Sequence, residues 1–155
     1  MPKSKGARSE GPPTIINRKA WHDYEILSSH EAGIALQGSE VKSILGGKVN
    51  LVGAHCSVID GELWLIDMDI APYEQATTKP HERRRNRKLL MHKKEIQTLR
   101  RRAEERGLAL IPTKVYFRNG RVKVEVSIAK GKKQYDKREA IAKKDQRREM
   151  ERKEK

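Results

Sequence analysis

Cysteine is nearly absent from this sequence: Cys56 is the only one in 155 residues. A single thiol forms neither a disulfide framework nor a zinc ligand set, and it fits a reducing compartment. Aromatic residues make up only 5%, which argues against a surface that stacks successive single-stranded bases. Long apolar runs are absent too, and none approaches the roughly 20 residues that span a bilayer. The opening stretch, Met1 to Pro13, is polar with no apolar segment behind it, so it does not read as a secretory signal. The expectation is a cytoplasmic protein with no membrane partner.

Catalytic patterns are also missing. The five histidines (His22, His30, His55, His81, His92) never stand four apart, so no HxxxH or HExxH metal pair exists. Gly46-Gly47-Lys48 lacks the preceding glycines of a phosphate-cradling loop. Cys56 follows His55 directly, which is not how a thiolate and its base usually meet, and it reads as a core cysteine. Asp60, Asp67 and Asp69 could suggest a metal-dependent nuclease, but Asp60 suits a turn and strand alternation accounts for the other two. Neither a catalytic residue, a metal nor a cofactor is expected.

Positive charge is what the sequence has in abundance. Lys and Arg number 35 against 21 Asp and Glu, for a net charge of +14 and a pI near 10.0. Apolar residues are 35% and charged residues 36%, so the core is small. Such an excess repels itself in a compact state and points to a polyanionic partner. The basic residues cluster at Arg83-Arg84-Arg85-Asn86-Arg87-Lys88, at Lys130-Gly131-Lys132-Lys133, and through the C-terminal segment. Any one run could be a solvated face; three of one sign favour phosphate contacts with counterion release. No helix-turn-helix, zinc finger or RRM signature is present, so a partner read by shape and 2′-hydroxyls fits best.

Three regions follow: a flexible arm over 1–13, a domain over 14–129, and a basic tail over 130–155. In the domain, Tyr24–Leu27 and Ala32–Leu36 flank a polar stretch, Ser28–Glu31, as arms of a hairpin. Ser57–Ile59 and Glu62–Ile66 surround Asp60-Gly61, and Lys114–Arg118 and Arg121–Val126 surround Asn119-Gly120. Those dipeptides suit type I′ turns, which need positive φ at both central residues. Val122, Val124 and Val126 alternate with Lys123, Glu125 and Ser127, which predicts one buried and one wet face. One helix is predicted from a capping Ser39 to Leu45, stopped by Gly46-Gly47. A second is predicted from near Asn86 to Arg106, stopped by Gly107, with Leu89, Ile96, Leu99 and Ala103 on one face. About six antiparallel strands with two or three helices suggest a closed or partly closed barrel of the oligonucleotide-binding (OB) type.

The tail is unusual. It lacks Pro, and over its 26 residues only Tyr135, Ala140, Ile141, Ala142 and Met150 are apolar. Glu139–Lys143, Glu149–Lys153 and Glu151–Lys155 stand four apart in the favoured order, each pair worth about 0.2–0.5 kcal/mol to a helix. The reading is a segment disordered when free that becomes helical once anionic surroundings screen its charge. A passive solubility tail is the bland alternative.

Several motifs together resemble one family. Gly38-Ser39-Glu40-Val41-Lys42-Ser43 with Gly46-Gly47-Lys48 and Asn50-Leu51, then Arg87-Lys88-Leu89-Leu90-Met91-His92 with Glu95-Ile96, then Ala129-Lys130-Gly131-Lys132-Lys133 with Tyr135-Asp136-Lys137-Arg138, are similar in order and spacing to the small protein B family, which binds tmRNA. Ser127 departs from it, standing where that family usually has Gly. The resemblance implies an OB-like barrel and a role in trans-translation, the rescue of ribosomes stalled on messages without a stop codon. It implies a non-enzymatic monomer that binds the tRNA-like domain of tmRNA and reaches the decoding centre of the small subunit with alanyl-tmRNA, elongation factor Tu and GTP. The tail would then lie as a helix in the vacant mRNA channel.

Position by position, the resemblance implies RNA contacts for Glu31, Leu90 and His92. The matched motifs add Lys42, Lys48, Arg87 and Lys88. Lys130, Lys132 and Lys133 join that set and also match residues needed for accommodation on the ribosome, as do Tyr135, Asp136, Lys137 and Arg138, with His22 and Tyr24 on the decoding-centre side. Bland readings stand beside three of these: an exposed hairpin-tip charge for Glu31, a core position for Leu90 and a structural histidine for His92. A ribosomal OB protein and an RNA-processing enzyme are the alternative classes; the second would need a convergent carboxylate or histidine pair.

Overall fold

A computed structural model of the chain describes residues 11–73 and 81–132. The arm expected over 1–13 lies mostly outside the described residues, and the tail from Lys133 onward lies wholly outside them. The described elements run β1 Ile15–Ile16, α1 Arg18–Asp23, β2 Tyr24–Ile34, α2 Gly38–Leu45, β3 Val49–Asn50, β4 His55–Ile59, β5 Glu62–Ile66, β6 Asp69–Ile70, β7 Arg87–Leu90, α3 Lys93–Arg106, β8 Ala109–Arg118 and β9 Arg121–Gly131. Seven strands form one antiparallel sheet in the order β1-β8-β9-β2-β7-β5-β4, while β3 and β6 pair separately. The expected mainly-β architecture with helices is therefore present. The hydrogen-bonded order does not close into a barrel, but the sheet curls far enough to bring β4 against β8.

Turn chemistry accounts for two of the pairings. Asp60 and Gly61 have φ of 52° and 77°, and Asn119 and Gly120 have φ of 52° and 76°. The strands leave these turns in tight register, Ile59 opposite Glu62 and Arg118 opposite Arg121. The hairpin expected across Ser28–Glu31 does not form. β2 runs through that segment for 11 residues and pairs with β9 from Tyr24 to Gly33, with one register shift between Ile26 and Ser28. Its polar residues are satisfied in place: the Ser29 hydroxyl meets that of Ser127 across the ladder at 2.8 Å, and Ser28 Oγ lies 3.1 Å from His30 Nε2 along the strand. Long-range pairing, invisible in the local pattern, makes a polar strand from what resembled a turn.

The second correction concerns Arg87–Leu90, expected to open the long helix. These residues form β7 instead, with Leu89 opposite both Ile34 of β2 and Leu63 of β5. α3 starts six residues after Arg87, with His92 at its N-cap. Ile96, Leu99 and Ala103 face the core as expected, and Gly107 ends the helix at φ 63°. α2 is capped by Gln37 rather than Ser39; the Gln37 N–H donates to Glu40 Oε1 at 2.8 Å. The Ser39 hydroxyl instead lies 2.9 Å from His81 Nδ1.

The larger of two core clusters is built on Leu63, Leu65, Leu89, Val115, Val124 and Val126, together with Ile44, Met68 and Ile70. Cys56 belongs to it, and burial pushes its thiol pKa up. The second face of β9 is wet only toward Lys123. Farther along, α1 covers it, and Ala20 packs against Ile111 and Ala129. Ser127 is fully buried there, with its hydroxyl 2.8 Å from that of Thr113. Asn17 pins α1 in place: its amide donates to Pro112 O at 2.8 Å and its Oδ1 accepts from Ala20 N at 3.2 Å.

Candidate nucleic-acid interface

The β2–β9 ladder separates the expected site residues into two groups. Tyr24 sits opposite Gly131 at one end and Gly33 opposite Lys123 at the other. Nine residues at about 3.3 Å each place these ends about 30 Å apart.

Leu90, at the Gly33 end, is half exposed although it ends a buried strand. It pairs with Gly33, and a Cβ at that glycine would come within 3.3 Å of Leu90 Cβ. A hollow of about 330 Å³ opens beside it, lined by Leu36, Val41, Arg121 and Lys123 among others. An apolar floor with a cationic rim suits the face of a nucleotide and its phosphate. Glu31 lies on the same ladder, two residues from Gly33. Its carboxylate accepts from Tyr116 Oη at 2.6 Å and meets the Arg118 guanidinium at 3.1 Å. Burial, and then the bond to Glu31, raises the Tyr116 phenol to about 12. Glu31 is thus the anchor of a Tyr116–Arg118 pair in mid-strand rather than a charge at a hairpin tip. His92 follows β7 and is exposed at the start of α3.

The basic run before β7 divides between surface and interior. Arg87, expected to contact RNA, is completely buried. Its Nε donates to Glu40 Oε2 at 2.6 Å, and its Nη atoms reach the carbonyls of Met68, Glu82, Arg83 and Arg85 at 2.8–3.3 Å. With its donors committed inward, Arg87 is a structural residue that ties α2 to β7 and to the segment before it. Arg85 completes the cluster, reaching Glu40 Oε1 at 2.6 Å. Arg83 is turned outward but grips Asp69 at 2.9 Å and 3.1 Å. Lys88 pairs with Glu62 across the β5–β7 ladder. Lys42 and Lys48 are exposed on and after α2, and the Lys42 ammonium stands 5.5 Å from the Tyr73 ring centroid.

At the far end of the ladder, Tyr24 is half-buried beside α1 and His22 is exposed, its Nδ1 2.9 Å from Asp23 Oδ1. Lys130 is still within β9, opposite Glu25. Lys132 is exposed and donates to the Trp21 carbonyl at 3.4 Å. Lys133, Tyr135, Asp136, Lys137 and Arg138 lie outside the described residues.

Sequence reasoning missed Glu40, Tyr116, Arg118, Arg121 and Lys123. Counting back from the Asn119-Gly120 turn would have put Arg118 beside Arg121 and Tyr116 beside Lys123, because a two-residue turn sets the register. Nothing local could have revealed Glu40 as buried. Among the described residues no group of His, Cys, Asp and Glu could hold a metal ion, and no helix is long and apolar enough to cross a membrane.

Comparison with known proteins bears on this geometry. Residues 14–155 match the SmpB protein family. A chain called SsrA-binding protein in Carboxydothermus hydrogenoformans is 56% identical over 135 residues, 87% of this chain and 91% of that one. Its counterpart in Desulforudis audaxviator is 54% identical over 144 residues, 93% and 94% of the two chains. A chain in a solved structure, "tmRNA-SmpB: a journey to the center of the bacterial ribosome", is 49% identical, with a TM-score of 0.67 over 77% of this chain and 85% of that one. With the match running through both ends of the ladder and the whole basic tail, this chain belongs to the SmpB protein family.

Proposed function

We propose that this chain binds the tRNA-like domain of tmRNA and carries it to stalled ribosomes for trans-translation. Family membership over residues 14–155 is the observation that carries this reading. The names of its relatives, SsrA-binding protein, and a solved neighbour described with tmRNA on the bacterial ribosome support it. The physical arrangement supports it as well. The end of the ladder with Leu90 and Glu31 offers a folded RNA an apolar hollow flanked by Arg121 and Lys123. The opposite end carries His22, Tyr24, Lys130 and Lys132 and leads into the tail. In this reading the protein arrives with alanyl-tmRNA, elongation factor Tu and GTP, acts as a cytoplasmic monomer, and performs no chemistry itself. Its tail, including Lys133, Tyr135, Asp136, Lys137 and Arg138, takes up a helix in the empty mRNA channel. Lys42, Lys48 and Lys88 add electrostatic contacts, which weaken as salt rises, and His92 stacks on or hydrogen-bonds the RNA.

Two measurements test this. A gel shift at physiological salt compares the tRNA-like domain of tmRNA with an ordinary tRNA; the tmRNA domain should bind far more tightly, and equal affinity would leave only a nonspecific basic protein. Truncation before Asp136 should leave that affinity nearly intact yet abolish peptide tagging on stalled ribosomes, and a truncated chain that still tags would refute the role of the tail.

A further inference from the structure

Trp21 is one of two tryptophans in the chain and is 45% exposed, although few aromatics are available to build a core. Its support is fixed: α1 is held to the sheet by the Ala20 contact and by the Asn17 bond to Pro112. Two cations stand near it: Arg18 lies one helical turn back on the same face, and Lys132 bonds its carbonyl. A rigidly mounted indole face with positive charge about it suits an unstacked nucleobase, whose neighbouring phosphates the cations offset.

We propose that Trp21 is a stacking platform for an unpaired base of ribosomal RNA, engaged when the tail enters the ribosome. The choice of ribosomal RNA over tmRNA rests on the functional reading above and on position. Trp21 contacts Lys132, where the tail begins, and stands with Tyr24 at the end of the ladder about 30 Å from the Leu90 hollow.

The test uses full-length protein carrying Trp21→Leu or Trp21→Phe, with charged tmRNA and ribosomes stalled on a message without a stop codon. Leucine keeps apolar bulk and removes the π face; phenylalanine keeps both. Trp21→Leu should lower the tagging rate at limiting protein roughly tenfold, Trp21→Phe should retain most of it, and both should keep wild-type Tm and affinity for the tRNA-like domain. Wild-type tagging by Trp21→Leu overturns the inference, as does an equal loss in the leucine and phenylalanine variants. A parallel loss of affinity for the tRNA-like domain would place the ring on the tmRNA side and overturn it too. Wild-type protein that tags nothing would sink the functional reading itself, and this inference with it.

Discussion

Replacing Arg87 by Met is the sharpest perturbation the structure offers. Methionine keeps much of the volume and removes the charge and every donor. Glu40, itself completely buried, would keep only Arg85 and the Gln37 N–H as partners, and the carbonyls that Arg87 bridges would lose that donor. Removing one partner of a buried pair costs about 3–5 kcal/mol, because an uncompensated charge remains inside. Arg85 still shields Glu40, so the lower end applies: about 3 kcal/mol, or a fall of roughly 6–12 °C in Tm for a chain of this size. The loss depends on pH with a definite sign. Burial alone would raise the Glu40 carboxyl, but hydrogen bonds from Arg85, the Gln37 backbone and Arg87 outweigh it and hold the group below its ordinary 4.5. A depressed folded-state pKa contributes stability that is fully present above the unfolded value and lost as pH falls through the folded one. Wild type and Arg87→Met should therefore differ most at neutral pH and converge in acid. The double variant Glu40→Met, Arg87→Met removes both charges and should recover much of the loss. Thermal unfolding followed by circular dichroism across a pH series measures all three proteins. A single-variant loss below about 1 kcal/mol, or a double variant no better than the single, would refute the reasoning.

Three further outcomes are expected. Glu31→Gln should bring the Tyr116 phenol down from about 12, read by ultraviolet titration against Tyr116→Phe; since the folded value is raised, the stability it contributes is present at neutral pH and disappears as alkali titrates the phenol, and an unmoved titration would show that the Glu31 contact is absent in solution. Gly33→Ala should change stability by less than about 1 kcal/mol, because the half-exposed Leu90 has room to yield, yet weaken binding of the tRNA-like domain by displacing Leu90; unchanged affinity would detach Leu90 from the interface. Cys56 should ignore a thiol reagent in the folded protein and react once in guanidinium, because burial both shields the thiol and raises its pKa; rapid labelling of native protein would contradict its place in the core.

What the sequence determined by itself was local or compositional. Asp60-Gly61 and Asn119-Gly120 specify their turns because few residue pairs accept positive φ at both positions. Gly107 stops α3 for the same reason, and the charge excess identifies a polyanionic partner wherever the lysines fall. Tertiary structure alone decided what depends on distant partners. Ser28–Glu31 became strand because β9 pairs with it, Ser127 meeting Ser29 across nearly a hundred residues, and because Tyr116 and Arg118 of β8 hold Glu31. Arg87 and Lys88 are neighbours in a basic run, yet one is sealed inside and the other stands half-exposed on a strand in the middle of the sheet. The difference is Glu40, 47 residues away. A buried charge is tolerable only where its counter-charge arrives, and no stretch of sequence read along the chain records that meeting.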